Sequence, residues 1–264
     1  MNINFHLLKH YVIHAAKGHR RGHGVHSPFA YRLCEDVFYN QNPFYQLDEL
    51  RGIRAQLLED PTELQIRDFG AGSKVFTSNL RKVNELVKHG TSTQKQSELL
   101  FRLCNFLDAG VIIELGGSIG LNALHLAMVN KQARVYSIEG SDSLARFSKT
   151  LAAKHGVTNL EVIHATFDEA FLPLLEKVKQ VDLLYIDGNH TYDATMRYLT
   201  SALPYCTENS VIVLDDIYWS EAMTRAWNEA CQIPQVNMSI DCFYFGFLFF
   251  KKEVLEKVSL RMVV

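Results

Sequence analysis

Residues 111–120 are Val111-Ile112-Ile113-Glu114-Leu115-Gly116-Gly117-Ser118-Ile119-Gly120, and an apolar helical pattern follows them. An apolar run that ends in an acid and then in glycines predicts a strand, a tight turn and a helix, because glycine lets the backbone turn sharply and approach a ligand closely. The run Tyr136-Ser137-Ile138-Glu139 then places a second acid at the end of the next strand. Ribose hydroxyls are held at that position in nucleotide-binding folds. The two runs together indicate an enzyme that uses a cofactor.

Apolar runs alternate with amphipathic helical patterns from about residue 111 onward. The predicted strands are Val111–Leu115, Arg134–Ile138, Leu160–His164, Val181–Ile186 and Ser210–Leu214, and the predicted helices cover about 121–130, 142–155, 168–178, 192–203 and 219–231. Such alternation predicts a mostly parallel sheet with helices on both faces, which is an α/β fold. The runs Val236–Asp241 and Tyr244–Lys251 are joined by a short turn and predict a terminal antiparallel hairpin. An ordinary dehydrogenase domain would continue with another crossover helix instead.

The part of the chain before residue 91 follows a different pattern. Helices are predicted at about 3–17, 28–38 and 46–59, with a further helix at about 93–107. A glycine-containing stretch, Arg67–Ser73, has no apolar strand before it and is interpreted as a loop. We therefore expect a helical N-terminal extension or cap over residues 1–90 and a catalytic domain over residues 91–264.

Composition limits the classes of function. Of the 264 residues, 47% are hydrophobic and 21% are charged, and the formal net charge is −2, so nothing in the whole-chain composition favours nucleic acid or a membrane as a partner. The five cysteines are scattered without a CxxC pair, which argues against a disulfide framework or a zinc knuckle. The N-terminus lacks the pattern of a signal peptide, and the longest apolar stretch, 242–250, is too short to span a bilayer. The expected location is the cytoplasm.

The N-terminal segment is nevertheless basic. Residues 1–34 include Lys9, Lys17, Arg20, Arg21 and Arg32 and contain no carboxylate. A basic arm of this kind either covers an acidic face of its own protein or meets an anionic partner. In the same segment, His6, His10 and His14 have the spacing of one helical face, which is either a solvated stripe or a metal site.

Carboxylates follow three of the predicted strands. They lie in Glu114–Asn122, in Asp187-Gly188-Asn189-His190 and in the pair Asp215-Asp216. Because ligands of open α/β sheets bind beyond the carboxyl ends of the strands, these segments are expected to converge on one crevice. Converging carboxylates raise one another's pKa unless a cation compensates, and hard oxygen ligands favour Mg²⁺ or Ca²⁺. Alternatively, Asp187 and Asp215 only cap the helices that follow them.

His190 lies three residues after Asp187. A histidine beside a metal could accept the proton of a substrate hydroxyl, because its ordinary pKa lies near neutrality. The alternative is a solvated or helix-capping histidine.

The motifs V-I-I-E-L-G-G-S-I-G-L-N, S-I-E-G, H-A-T-F-D, L-L-Y-I-D-G-N-H and V-I-V-L-D-D occur in this order over roughly residues 90–251. In order and spacing they resemble class I S-adenosylmethionine-dependent methyltransferases. The set is most similar to the metal-dependent O-methyltransferases related to catechol O-methyltransferase and to bacterial sugar O-methyltransferases. The predicted terminal hairpin matches the reversed last strand of that family. The resemblance therefore implies a Rossmann-like methyltransferase fold.

The resemblance also implies roles for individual residues. The cofactor turn would be formed by Glu114, Gly116, Gly117, Ser118 and Gly120, with Asn122 and the segment Thr91–Gln94 near the methionine end of S-adenosylmethionine. Glu139 would hold the ribose hydroxyls, and Ala165, Thr166 and Phe167 would border the adenine. Asp187, Asp215 and Asp216 fall on the metal-ligand positions, although the catechol enzymes carry asparagine where this chain has Asp216. His190 falls where those enzymes place a lysine base.

The function expected from the sequence is transfer of a methyl group from S-adenosylmethionine to a hydroxyl oxygen of a small molecule. A Mg²⁺ ion held by Asp187, Asp215 and Asp216 would orient the acceptor, and Asp187 and His190 are the expected catalytic residues. No nucleic acid and no membrane are expected as partners, and a homodimer is one option for the oligomeric state. Two other classes stay open, a nicotinamide-dependent oxidoreductase and a non-catalytic cofactor-binding or accessory protein.

Overall fold

The structure is a computed structural model that describes residues 5–20, 26–67, 79–254 and 256–264. The chain forms two compact units. One unit consists of Gln41–Lys177, and the other consists of Met1–Asn40 together with Val178–Val264. Most of the predicted loop Arg67–Ser73, and His23, Gly24 and Val25 of the Gly/His-rich loop, lie outside the described residues.

The unit Gln41–Lys177 holds the glycine turn. Its elements are α3 (Tyr45–Leu58), β1 (Glu63–Gln65), β2 (Leu80–Lys82), α4 (Val83–His89), α5 (Gln94–Leu107), β3 (Val111–Leu115), α6 (Leu121–Met128), β4 (Arg134–Glu139), α7 (Asp142–Lys154), β5 (Leu160–His164) and α8 (Phe167–Val178). Strands β3, β4 and β5 pair in parallel in that order, while β1 and β2 form a small antiparallel pair. Apolar residues of α3, α4 and α6, including Leu50, Val83 and Leu124, form one buried cluster. This cluster gives the turn after β3 a rigid support.

The second unit contains the two aspartate segments. Its elements are α1 (Phe5–Lys17), α2 (Pro28–Leu33) continued by a π-helical turn (Cys34–Phe38), β6 (Val181–Ile186), α9 (Tyr192–Ala202), a 3₁₀ turn (Leu203–Tyr205), β7 (Cys206–Asp215), α10 (Glu221–Ala230), β8 (Met238–Asp241), β9 (Phe245–Phe249) and β10 (Val258–Arg261). Strand β7 pairs in parallel with β6 and antiparallel with β9, which forms a hairpin with β8. Strand β10 adds to β8 in parallel.

The first helices of the chain pack on this second unit. The ring of Phe29 meets Phe249 edge-on with 5.3 Å between centroids, and Phe38 lies 5.7 Å from Phe247. Leu33 in α2 is fully buried. Buried apolar side chains of this segment, Ala30, Leu33, Cys34, Val37 and Phe38, are therefore part of the core of this unit. The expected boundary at residue 90 between an N-terminal cap and a catalytic domain stays a prediction. The compact units of the structure divide instead after Asn40 and after Lys177.

The predicted fold class is confirmed: strands and helices alternate, the strands pair mainly in parallel, and an antiparallel hairpin lies near the end of the chain. Three of the five predicted crossover strands have the predicted bounds, while β4 ends one residue later and β7 begins at Cys206. The predictions did not include β1, β2, α4 or β10. The strands have three or four residues each, too few for a clear period, and α4 is only seven residues long, although Val83, Leu86 and Val87 have helical spacing. No described helix has both the length and the apolar character needed to cross a membrane.

Candidate active site

The turn between β3 and α6 requires glycine for space and for backbone conformation. A Cβ at Gly117 would lie 2.2 Å from the hydroxyl oxygen of Ser137, so a side chain there would collide with β4. Gly120 has a φ of +88°, and a Cβ there would lie 2.3 Å from Ser148 Oγ on α7. A positive φ is costly for residues with a Cβ, so the turn depends on glycine for both space and conformation.

Glu114 is the acid at the end of β3, and its side chain is fully buried. The hydroxyl of Ser137, its register partner on β4, donates a hydrogen bond of 2.5 Å to Glu114 Oε2. A buried carboxylate is tolerated only with such a donor. Glu114 therefore shapes the turn by linking the ends of two strands. Strand register could have suggested Ser137, but the sequence motif did not.

Glu139 at the end of β4 reaches the glycine turn directly. Its Oε2 accepts a hydrogen bond from the Ser118 amide at 2.8 Å, and its Oε1 accepts one from the Ser141 amide at 2.7 Å. Each carboxylate oxygen can accept more than one hydrogen bond. Both oxygens can therefore also accept hydrogen bonds from ligand hydroxyls while the backbone amides hold the carboxylate in place.

Asn122, in the first turn of α6, is buried between two serines. Its amide nitrogen donates to Ser92 Oγ at 2.8 Å, and its carbonyl oxygen accepts from Ser97 Oγ at 2.6 Å. Arg54 on α3 donates to the backbone carbonyl of Ser92 at 2.6 Å. The structure thus joins Asn122 to the Thr91–Gln94 segment, as expected if both lie at the methionine end of a cofactor. Ser97 and Arg54 were not predicted, because their role depends on contacts between distant residues.

The segment proposed to border adenine lies at the start of α8. The Thr166 hydroxyl and amide both donate to the Glu169 carboxylate, at 2.7 and 3.0 Å. The Ala165 amide donates to the Glu139 carbonyl at 3.2 Å, which ties this segment to the end of β4. Ala165, Thr166 and Phe167 are all partly exposed. They therefore retain surface for contact with a ligand, and their role toward adenine stays a prediction.

Asp187 and Asp215 meet at one tyrosine hydroxyl. The oxygen of Tyr185 lies 2.9 Å from Asp187 Oδ2 and 3.0 Å from Asp215 Oδ2. A hydroxyl has a single hydrogen to donate, so both contacts are favourable only if one carboxyl carries a proton or a cation reduces the negative charge. Tyr185 was not predicted, although it stands two residues before Asp187 at the end of a strand, where alternate side chains share a face.

Burial, together with the neighbouring carboxylates of Asp187 and Asp216, raises the pKa of Asp215 well above its ordinary value. The alternative in which Asp187 and Asp215 only cap helices is wrong. The N-cap residue of α9 is Thr191, and that of α10 is Ser220, whose side chain accepts from the Met223 amide. The two aspartates are thus placed together without a capping role.

The oxygen-only chemistry of this aspartate pair fits a hard divalent cation, which would offset the repulsion of two close carboxylates. Asp216 follows with a φ of +52°, and its amide donates to Asp215 Oδ1 at 2.9 Å. Within the described residues, however, no three His, Cys, Asp or Glu side chains are arranged so that they could hold a metal ion. The predicted set Asp187, Asp215 and Asp216 is therefore present as a close pair with an adjacent third carboxylate, and its role in metal binding stays a prediction.

His190 lies beside this pair and is partly exposed. Its Nε2 is 3.7 Å from Asp187 Oδ1, which is the distance of an ion pair rather than a hydrogen bond. The ring is therefore near the aspartates without being held tightly by them. This leaves its nitrogen able to meet a ligand.

The histidine stripe of α1 has a role that neither sequence interpretation anticipated. His14 is buried, and its Nδ1 lies 3.1 Å from Asp241 Oδ1 while its Nε2 lies 3.0 Å from the Met262 carbonyl. The ring of His10 stacks on Tyr218 with 4.4 Å between centroids. The stripe therefore packs the helix onto its own protein, which corrects the expectation of a solvated stripe.

Residues 113–217 match the family described as "Methyltransferase domain". A comparison with curated protein sequences finds no match. Solved structures with a similar fold include a methyltransferase of Podospora anserina with S-adenosylhomocysteine bound, at a TM-score of 0.58 and 13% identity over 96% of this chain and 98% of that one. Another is the O-methyltransferase TomG of Streptomyces achromogenes in complex with S-adenosylmethionine. Its TM-score is 0.55, and its sequence identity is 17% over 84% of this chain and 95% of that one. A third is an O-methyltransferase of Bacillus cereus in complex with S-adenosylhomocysteine. Its TM-score is 0.51, and its sequence identity is 17% over 83% of this chain and 94% of that one.

The fold, the glycine turn with its two acids and the family match define a class of protein. The chain has a Rossmann-like fold, and its residues 113–217 match a methyltransferase domain. Enzymes of this class take their methyl group from S-adenosylmethionine.

Proposed function

We propose that this protein transfers the methyl group of S-adenosylmethionine to a hydroxyl oxygen of a small molecule, with the help of a divalent metal ion. The observation that carries the proposal is the contact between Glu139 and the Ser118 amide. It places a carboxylate suited to ribose at the glycine turn where the cofactor would lie. The aspartate pair supports the oxygen acceptor, because a hydroxyl needs help to become a nucleophile.

The turn and its neighbours would hold the donor. Gly116, Gly117, Ser118 and Gly120 present backbone close to the cofactor, and the Glu139 carboxylate accepts hydrogen bonds from the ribose. Asn122 keeps Ser92 and the Thr91–Gln94 segment in position at the methionine end. Methyl transfer is an in-line displacement at the sulfonium, so the contribution of these residues is alignment of the two reactants.

The second part of the proposal concerns the acceptor. Asp187, Asp215 and Asp216 would hold a Mg²⁺ ion, which when bound lowers the pKa of a hydroxyl and orients it. Tyr185 keeps Asp187 and Asp215 at a fixed separation through its hydroxyl. His190, next to Asp187, would accept the proton that the acceptor hydroxyl loses. Asp187 would thus serve both as a ligand and in orienting the histidine.

We further propose that the segment before residue 91 contributes to the acceptor pocket. This is supported by its aromatic residues and by the fact that residues 26–40 belong to the same compact unit as Asp187 and Asp215. A truncation would be a poor test, since Leu33 and Phe38 are buried. The variant His26→Ala, in the loop before α2, is expected to raise KM for the acceptor while leaving affinity for S-adenosylhomocysteine unchanged.

The function is tested by calorimetric titration with S-adenosylhomocysteine and with NAD, followed by methyl-transfer assays on a library of hydroxylated small molecules. Binding of S-adenosylhomocysteine but not of NAD, with turnover of at least one hydroxylated acceptor, is the expected result. Binding of NAD would instead indicate an oxidoreductase. Binding of S-adenosylhomocysteine without turnover of any hydroxyl, amine or thiol acceptor would indicate a non-catalytic protein.

A further inference from the structure

Helix α1 is held to the protein by its histidine face. His6 Nε2 lies 2.9 Å from Thr224 Oγ1, His10 stacks on Tyr218, and His14 lies beside Asp241. These histidines follow one another at four-residue spacing and so share one side of the helix. The helix is therefore fixed with its polar face toward the rest of the unit.

The opposite face of α1 is apolar and exposed. The accessible fractions of Phe5, Leu8, Tyr11 and Val12 are 78%, 47%, 54% and 58%. At 100° per residue, Phe5 and Val12 point away from His14. The usual arrangement of an amphipathic helix, with its apolar face toward the core, is thus reversed. Exposed apolar patches of this kind mark interaction sites.

Basic residues lie on and just after this helix, and Lys9 borders its apolar face. Lys9, Lys17 and Arg20 form no ion pair with a carboxylate in the part of the chain that the structure describes. The first carboxylate in the sequence is Glu35. The basic arm therefore does not cover an acidic face of its own protein through these three residues, and its charge is available to an anionic partner.

We propose that the exposed face of α1, formed by Phe5, Leu8, Tyr11 and Val12, docks this protein on the surface of an anionic membrane. A helix with an apolar face can lie in the interface plane with that face among the headgroups, while lysine and arginine are attracted to anionic lipids. Thirteen residues of helix extend for about 20 Å, less than the roughly 30 Å of the hydrocarbon core, so the helix lies on the bilayer and does not cross it. The net charge of the chain and the length of its apolar stretches do not bear on a helix that lies on a membrane surface, so the expectation of no membrane partner does not extend to this case.

Charge favours a membrane over a second copy of the chain. In a two-fold dimer this face would meet its own copy, and residues 1–34 contain no carboxylate that could pair with Lys9 there. An anionic lipid surface instead places opposite charge next to Lys9. Because α1 is already held by His14 and its neighbours, docking does not have to pay the cost of folding the helix.

The proposal is tested by sedimentation of the full-length protein with vesicles of phosphatidylcholine alone or of phosphatidylcholine with 30% phosphatidylglycerol. The wild type is expected to sediment with the anionic vesicles and much less with the neutral ones. Leu8→Glu and Val12→Glu should each weaken this binding by roughly tenfold or more, because each removes apolar contact and adds repulsion. Lys9→Glu should also weaken binding to the anionic vesicles, and the difference between this variant and the wild type should become smaller at high salt.

Two variants provide matched controls. Leu172→Glu changes a leucine on α8 that is 48% exposed, nearly the same as Leu8, and Lys149→Glu reverses an exposed charge on α7. Both should bind vesicles like the wild type. Equal binding of Leu8→Glu and Leu172→Glu, or equal binding of the wild type to both kinds of vesicle, would overturn the proposal. A concentration-dependent dimer in light scattering that Leu8→Glu abolishes would assign this face to a second copy instead.

Discussion

Oε2 of Glu139 accepts a hydrogen bond of 2.8 Å from the backbone amide of Ser118, twenty-one positions earlier in the chain. This bond joins the acidic end of β4 to the glycine turn that follows β3. Ser118 has a φ of +47°, a conformation that non-glycine residues seldom adopt. A strained backbone at a ligand site is a common sign of a functional constraint.

The first prediction concerns this carboxylate. Glu139→Ala is expected to weaken binding of S-adenosylhomocysteine by about 1–3 kcal/mol, because charge-assisted hydrogen bonds to the ribose are lost. Isothermal titration calorimetry measures the change. The exposed Glu176 on α8 supplies the control, and Glu176→Ala should bind like the wild type. Unchanged affinity in Glu139→Ala would show that the ribose assignment is wrong.

The second prediction concerns the glycine turn. Gly120→Ala should lower the free energy of unfolding by roughly 2–4 kcal/mol, since it adds the cost of a positive φ to a collision with Ser148. Gly52→Ala is the matched control, because nothing lies within 4 Å of a Cβ at that exposed helical position. That change should stabilise the protein by about 0.5–1 kcal/mol. Denaturant unfolding measures both, and a neutral Gly120→Ala would contradict the strain argument.

The third prediction concerns the metal. Turnover should need Mg²⁺ or Mn²⁺, disappear in EDTA and return when metal is restored. Asp215→Asn should reduce Mn²⁺ affinity, measured directly by electron paramagnetic resonance, and leave S-adenosylhomocysteine binding nearly intact. Asp193→Asn, at an exposed position in the first turn of α9, should behave like the wild type. Full turnover in EDTA would exclude the metal and leave a shared proton as the reason why Asp187 and Asp215 can lie so close.

The fourth prediction concerns pH and His125 on α6. Burial lowers the pKa of this histidine to about 4, although its Nδ1 lies 2.8 Å from the Leu121 carbonyl. In the unfolded chain the same group titrates near 6.5. Between these values the unfolded state binds the extra proton, so stability is greatest above pH 6.5 and should fall by about 3 kcal/mol toward pH 4.

Urea unfolding at several pH values tests this prediction through the slope of the free energy against pH. His125→Gln cannot titrate and should flatten the slope, whatever its effect on absolute stability. His89→Gln, on the surface of α4, provides the same substitution at an exposed position for comparison. An identical slope in wild type and His125→Gln would assign the acid sensitivity to other groups.

Much of the fold could be predicted from sequence because its strands are long apolar runs with clear helices between them. Strands such as Val111–Leu115 and Val181–Ile186 are completely or almost completely buried and have the predicted bounds. The short strand β10 was not predicted, since its four residues are only partly buried and acquire their role by pairing with β8. Helix α1 was predicted, but its orientation was not. A stripe of histidines on a polar arm gives no sign that Thr224, Tyr218 and Asp241 will meet it.

The residues of the candidate site likewise include some that could be predicted from the sequence and some that could not. Glu139 and the glycines could be predicted from their spacing, because a tight turn after a strand accepts few residue types. Ser97 could not be predicted, because helix packing brings it to Asn122. Only strand pairing shows that Ser137 meets Glu114 and that the Tyr185 hydroxyl, besides Asp187, also meets Asp215. The alternative that Asp187 and Asp215 cap helices could be rejected only when the cap residues, Thr191 and Ser220, were seen.

The sequence by itself determined the class of fold, the glycine turn and the residue types available for a cofactor, since these depend on local periodicity and on backbone freedom. The tertiary structure decided which of those residues meet. It placed the hydroxyl of Tyr185 between two carboxylates, directed the Glu139 carboxylate to the Ser118 amide and turned the histidines of α1 inward. Hydrogen bonds and charge pairs act over a few ångströms, so their partners are chosen by the packing of distant segments and not by spacing along the chain.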